Sequence, residues 1–201
     1  MSSYIIAITG ASGTVYGIRL LKYMLGNGIR VYLTITKEGW DIMRDEAGLY
    51  WEGGEDEVNS ALRKYFGAAE ETLRYYHEDN LRASIASGSV HTDGMIIVPS
   101  SMKTVASIAS GVASNLVGRA ADVILKEKRK LVIVPRETPL NSIHLRNLLT
   151  LSEMGAHIIP AMPAFYNRPK TIEDIVDFIA GRILDALYID NSLYRRWGDK
   201  E

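Results

Sequence analysis

"YIIAITGASGTVYG", residues 4–17, decides the fold. Residues 4–9 are mostly apolar and β-prone, the signature of a short buried strand. Gly10, Gly13 and Gly17 follow, and the apolar residues then recur at helical spacing, with Ile18, Leu21 and Leu25 toward one face. A strand that turns through glycines into a helix offers an anion backbone N–H groups and a helix N-terminus. The spacing is not G-x-G-x-x-G, and the next strand closes on Thr36 and Lys37, not on the acid that would hold ribose hydroxyls. Both departures argue against a dinucleotide and allow a compact phosphate held by backbone amides, a serine hydroxyl and the helix N-terminus. The loop alone leaves open a turn whose glycines serve geometry only.

Outward from this stretch the pattern repeats. Residues 30–36 read as a second strand and 37–46 as a helix. Strands "GMIIVP" (94–99), "LVIVP" (131–135) and "AHIIP" (156–160) alternate with helical patterns at 101–110, 115–128, 141–155 and 171–187. Asn115 suits an N-cap, and Thr171 with Asp174 three residues on reads as a capping box. The stretch from Gly48 to Ser89 is the least regular and predicts only a short helix near 57–66. Alternation of this kind predicts an α/β fold, a Rossmann-like parallel sheet flanked by helices. One domain is expected over 1–201, ending in a polar tail from about 188. Ligands bind such sheets beyond the carboxyl ends of the strands. "GASG", the stretch after Thr36, "PSSMKT", "PRETP" and "PAMPAFYNRP" all fall there.

Composition narrows the chemistry. Of 201 residues 47% are hydrophobic and 23% charged, and the formal net charge is −1. With no long basic run, a nucleic-acid partner is not expected. The chain has no cysteine, which excludes disulfides, thiolate zinc sites and a cysteine nucleophile. The four histidines lack metal-ligand spacing and no D-D-x-x-D occurs, so no metal is predicted. No apolar run is long enough to span a bilayer and no signal-peptide pattern opens the sequence. A cytoplasmic location is the expectation.

Charged residues form a second pattern. Arg119 and Lys126, seven apart in a helical stretch, share a face with Asp122 near it. Arg136 and Glu137 sit just past one strand, Tyr166 past another, and Arg182 on the last helix. Singly each is an ordinary surface residue. Together they make an anion site of Arg and Lys with one adjacent carboxylate, Glu137. Glu46, in "RDEAG", reads on its own as a helix-end acid, and His144 as a helix-surface or packing residue. "YNRPK" matches the Y-x-x-x-K pair of short-chain dehydrogenases, but Pro169 disfavours the helix on which that pair depends.

At larger scale "TGASGTVYG", "PSSMKTVASIASG", "NLVGRAADVILKEKRKLVIVPRETPL", "IHLRNLLTLSEMGA" and "PAFYNRP" strongly resemble the UbiX-type flavin prenyltransferases, over about Tyr4 to Trp197. The resemblance implies binding of reduced FMN and transfer of a dimethylallyl group from dimethylallyl monophosphate to N5 and C6 of the flavin. The product, prenylated FMN, serves a UbiD-type decarboxylase. It further implies a homododecamer with sites between subunits and no metal. By motif, the flavin site takes Gly10, Ala11, Ser12, Thr36, Ser101, Met102, Lys103, Thr104 and Arg136. The prenyl phosphate meets Arg119, Lys126, Arg136, Tyr166 and Arg182. Glu137 is the acid/base beside that phosphate and Glu46 assists ring closure, with Tyr166 and Lys126 also in the catalytic set. The chain departs from many relatives at Thr36 (serine there), at Ser100 (cysteine there) and near Leu81, which lacks a tryptophan of some relatives; the last bears on the shape of the prenyl pocket.

Three other readings compete. FMN-dependent cysteine decarboxylases of related fold use a cysteine, which this chain lacks. A flavin-carrying subunit with no chemistry of its own would not need Glu137, Lys126 and Tyr166. A nicotinamide reductase is opposed by the loop.

Overall fold

The structure is a computed structural model and describes residues 1–198. Residues 199–201 of the expected tail lie outside the described residues. Strands β1 (Ser3–Ile8), β2 (Arg30–Ile35), β3 (Leu73–His77), β4 (Gly94–Ser100), β5 (Lys130–Pro135) and β6 (His157–Ile158) form one parallel sheet in the order β3-β2-β1-β4-β5-β6. The helices are α1 (Thr14–Gly26), α2 (Lys37–Ala47), α3 (Glu55–Phe66), α4 (Met102–Ala109), α5 (Leu116–Lys126), α6 (Ser142–Glu153) and α7 (Ile172–Ala186).

Period-two alternation splits the core. Tyr4, Ile6 and Ile8 of β1, with Ile96 and Val98 of β4, face α1, α2, α3 and α7. Ile5 and Ala7, with Met95 and Ile97, face α4, α5 and α6. Both faces are covered, which is why the central strands read as nearly continuous apolar runs. Gly17 lets α1 lie on β4, since a Cβ there would stand 2.5 Å from the Val98 carbonyl oxygen.

The expected elements form, with two differences. The irregular stretch holds α3 and an unpredicted edge strand, β3, whose residues Leu73 and Tyr75 alone are buried. The sixth strand shrinks to two residues. Within the polar C-terminal segment, two aromatic residues pack back onto the chain. Tyr194 packs on Phe178 with ring centroids 5.2 Å apart, and Trp197 packs edge-on against Tyr166 at 5.2 Å. Asn115 caps α5 and Thr171 with Asp174 boxes α7, as read from sequence. His144 completes a capping box with Asn141 at the start of α6. Arg168 has φ 52°, and no helix joins Tyr166 to Lys170, so the dehydrogenase pair is absent.

Candidate active site at the carboxyl end of the sheet

Strand order reverses between β1 and β4, the switch point at which such sheets bind ligands. Thr9 stitches the two sides together. Its amide and hydroxyl both donate to the Pro99 carbonyl, at 3.2 and 3.0 Å, and its hydroxyl accepts from the Ser101 amide at 2.8 Å. The Gly10–Ala11–Ser12 loop therefore runs beside the segment Ser101, Met102, Lys103 and Thr104. Ser101 caps α4 by accepting from the Thr104 amide at 3.2 Å, and Thr36 caps α2 by accepting from the Gly39 amide at 3.1 Å. The N-termini of α2 and α4 thus open at the same sheet end on either side of β1, each a favourable place for an anion.

Glu38 and Lys103 link those two helix starts by an ion pair of 2.7 Å. The hydrogen bond from Lys103 holds the Glu38 carboxyl below the usual carboxylate range, and Glu38 raises Lys103 in return. Gly10 passes beneath, and an added Cβ there would come within 2.5 Å of the Glu38 Cβ. Sequence reasoning missed Glu38, because nothing in its local pattern marks a partner 65 residues away.

Glu46, at the end of α2, reaches back to the start of α1. Its Oε2 accepts from the Gly13 amide at 3.0 Å, the Thr14 amide at 2.9 Å and the Thr14 hydroxyl at 2.9 Å. Burial pushes this carboxyl up, but hydrogen bonds from Ser12, Thr14 and Gly13 outweigh it and hold the group below its ordinary range. Glu46 is therefore more than a helix-end acid. It caps the glycine loop with negative charge where the α1 dipole favours it.

Arg136 ties β5 to the same loop, its Nε donating to the Ser12 carbonyl at 3.2 Å. Glu137 follows, exposed, and accepts from the Thr138 amide at 3.0 Å. Beside them is a cavity of about 250 Å³ lined by Arg136, Glu137, Leu140, Leu148, Pro160 and Met162, chiefly apolar with a charged rim.

The remaining predicted residues are dispersed. Arg119, in the first turns of α5, donates to the Ala86 carbonyl at 3.2 Å and pairs with Asp122 at 3.2 Å. Lys126 ends the same helix, at its opposite end. Arg182 lies on α7, beside Tyr194 at 3.3 Å, and lines a cavity of about 600 Å³ with Gly155, His157 and Asp185 at the amino end of β6. Tyr166 packs edge-on against Phe178 of α7. Helices α5 and α7 cover opposite faces of the sheet. One chain therefore does not bring Arg119 and Lys126 together with Tyr166 and Arg182. Among the described residues no group of His, Asp and Glu could hold a metal ion, and no helix is long and apolar enough to cross a membrane.

A parallel sheet with a glycine loop and two hydroxyl-capped helix N-termini at its switch point defines a nucleotide-binding α/β protein, and the Flavoprotein family model matches residues 2–184. The flavin prenyltransferase UbiX of Halalkalibacterium halodurans is 49% identical over 98% of this chain and 94% of its own. That of Methanocaldococcus jannaschii is 44% identical over 96% of this chain and 97% of its own. The crystal structure of AnUbiX (PadA1), in complex with FMN and dimethylallyl pyrophosphate, has a TM-score of 0.88 at 38% identity and covers 100% of this chain and 99% of that one. A dodecameric FMN-dependent UbiX-like decarboxylase from Escherichia coli O157:H7 has a TM-score of 0.86 at 40% identity, covering 98% of this chain and 100% of that one. The chain belongs to the UbiX-type flavin prenyltransferase family.

The residues present fit FMN. Two capped helix N-termini suit its phosphate, and Thr36, Ser101 and Lys103 add hydroxyl and cationic donors.

Proposed function

We propose that the protein transfers the dimethylallyl group of dimethylallyl monophosphate to N5 and C6 of reduced FMN, releasing prenylated FMN for a UbiD-type decarboxylase. The observation that carries this reading is the join of Arg136 to Ser12, which sets the flavin loop beside the loop bearing Glu137. Reduced FMN supplies, when bound, the electron-rich N5 and C6 positions.

The chain's own residues do the rest. Gly10, Ala11, Ser12, Thr36 and the segment 101–104 hold and orient the flavin. Arg136, Arg119, Lys126, Arg182 and Tyr166 present positive charge and hydrogen bonds to the departing phosphate, the electrostatic work this substitution demands. Glu137 exchanges a proton with that phosphate. Glu46, kept ionised by the α1 N-terminus, accepts a proton during ring closure. Leu140, Leu148 and Pro160 wall the cavity against water.

The sheet keeps α5 and α7 apart within a chain, so the phosphate subsite is completed by other copies, in keeping with a homododecamer. An exposed apolar surface supports this. Leu151 is the buried residue of α6, while Ile143, Leu145 and Leu149 are more than half exposed, as is Met162, which lines a cavity with Leu148. The cytoplasmic setting expected from the sequence remains part of the proposal.

The test is anaerobic. Protein, chemically reduced FMN and dimethylallyl monophosphate are mixed and the released flavin is weighed by mass spectrometry. A gain of one prenyl unit, lost in Glu137→Gln with flavin still bound, is expected. Unmodified FMN from flavin-loaded wild-type protein would overturn the reading.

A further inference from the structure

Thr14 is the buried partner of an otherwise exposed acid. It stands at the first position of α1 with none of its surface accessible, while Glu46, near the end of α2, is exposed. The two are 32 residues apart and make two contacts of 2.9 Å, one from the Thr14 amide and one from its hydroxyl, both to Oε2. The Gly13 amide adds a third donor to Oε2, at 3.0 Å, and is the one backbone donor to Oε1, at 3.1 Å, while the Ser12 hydroxyl also hydrogen-bonds to this carboxylate. A carboxylate oxygen that already accepts three hydrogen bonds is a poor place for a proton, because protonating it sets donors against a donor.

We infer that Thr14 is a positioning residue for Glu46: its hydroxyl and amide pin Oε2, so that Oε1 is the oxygen that exchanges a proton in the reaction. The inference rests on the proposed role of Glu46 in ring closure. It assigns work to a side chain that a glycine-loop motif leaves unspecified, since the loop needs only backbone at that position. Other titratable and charged groups around Glu46 are few. Tyr16 of α1 faces it, its phenol pushed up by burial and by this carboxylate. Arg136 approaches the loop from the β5 side, at the Ser12 carbonyl. The cations of α1 are engaged elsewhere, Arg19 with Asp177 and Lys22 over the Tyr65 ring. Arg44 and Asp45 belong to Glu46's own helix, where Arg44 pairs with Asp41.

Thr14→Val keeps the volume and the backbone amide and removes the hydroxyl. In single-turnover prenylation with saturating flavin, it is expected to slow the reaction about tenfold, the scale of one hydrogen bond to a charged group, with FMN affinity unchanged. Thr14→Ser restores the rate. On a Glu46→Gln background, Thr14→Val adds nothing further. A second readout needs no turnover: in flavin-free protein, the infrared signal of carbon-13-labelled glutamate that disappears in Glu46→Gln is titrated with acid. That signal protonates at higher pH in Thr14→Val than in the wild type. Wild-type rate and titration in Thr14→Val would overturn the inference, as would equal slowing on the Glu46→Gln background. If the wild type itself releases unmodified FMN, the functional reading falls, and the infrared titration still decides whether Thr14 governs Glu46.

Discussion

Arg136 and Ser12, 124 residues apart in sequence, meet through a hydrogen bond of 3.2 Å from the Arg136 Nε to the Ser12 carbonyl. This contact crosses the switch point of the sheet. It fixes the loop after β5 against the loop after β1, and with it the position of Glu137 relative to the residues proposed to hold the flavin. An arginine suits the task because its planar fork can hold a carbonyl with one nitrogen and offer the others to a phosphate.

Arg136→Lys keeps the charge and loses that division of labour. FMN affinity is expected to fall about tenfold or more, since a hydrogen bond to a charged group contributes roughly 1.5–3 kcal/mol. Turnover at saturating flavin is expected to fall as well, because Glu137 is displaced with the loop. Titration by flavin fluorescence and single-turnover rates separate the two effects, and a lysine variant with wild-type affinity would deny Arg136 its place in the flavin site.

Gly17→Ala tests the packing that brings the glycine loop to the sheet. The new methyl would stand 2.5 Å from the Val98 carbonyl oxygen and 3.1 Å from the Ile8 side chain. Overpacking of this kind costs about 1–3 kcal/mol, and each kcal/mol lowers the melting temperature by roughly 2–4 °C in a chain of this size. Gly26→Ala is the control. Nothing lies within 4 Å of its added Cβ and its φ is not positive, so it is expected to leave the melting temperature level or raise it.

The two substitutions mark how far the sequence could be read. Strands β1, β4 and β5 were legible because both their faces are buried and they read as nearly continuous apolar runs, and β2 because buried Val31, Leu33 and Ile35 alternate with half-buried Arg30 and Tyr32. Strand β3 was not, since "LRYYH" buries only Leu73 and Tyr75 at the sheet edge and polar residues precede it. The loop segments of the candidate site were legible from their place after strands, whereas the individual flavin-site residues were read from the family resemblance. The partners Glu38 and Thr14 were not, because their contacts are with residues 65 and 32 positions away. Nor could the spacing of Arg119 and Lys126 reveal that α5 and α7 lie on opposite faces of the sheet. Helix periodicity fixes a side of the helix, and topology fixes a side of the sheet.

Asp185 is expected to control the docking of the C-terminal segment. Burial would raise its carboxyl, but hydrogen bonds from Arg196, Tyr194 and Asn191 outweigh it and hold the group below its ordinary value. A carboxyl lowered by folding contributes stability that is complete above the unfolded value, about 3.9, and is lost as pH falls through the lower folded value. Release of the segment is therefore an acid transition, readable in the fluorescence of Trp197. In Asp185→Asn that transition disappears, and trypsin cuts after Arg195 and Arg196 several-fold faster at neutral pH. Equal cleavage of the two proteins would show that Tyr194 and Leu193 hold the segment by packing alone.

Lys126 and Arg182 allow the strongest test of how the phosphate subsite is built. They project from helices on opposite faces of one sheet, so a phosphate that meets both must meet them from different copies. Lys126→Ala and Arg182→Ala are each expected to lose most turnover while retaining FMN. When the two variants are co-expressed, subunits mix within the assembly. If each site draws Lys126 from one copy and Arg182 from another, random mixing leaves about a quarter of the sites with both residues intact. Turnover should return to about that fraction of the wild-type rate. If both residues served a site within one chain, every site in the mixture would lack one of them and no activity would return. Mixing the purified homo-oligomers without exchange is the control, since it must show no recovery under either arrangement.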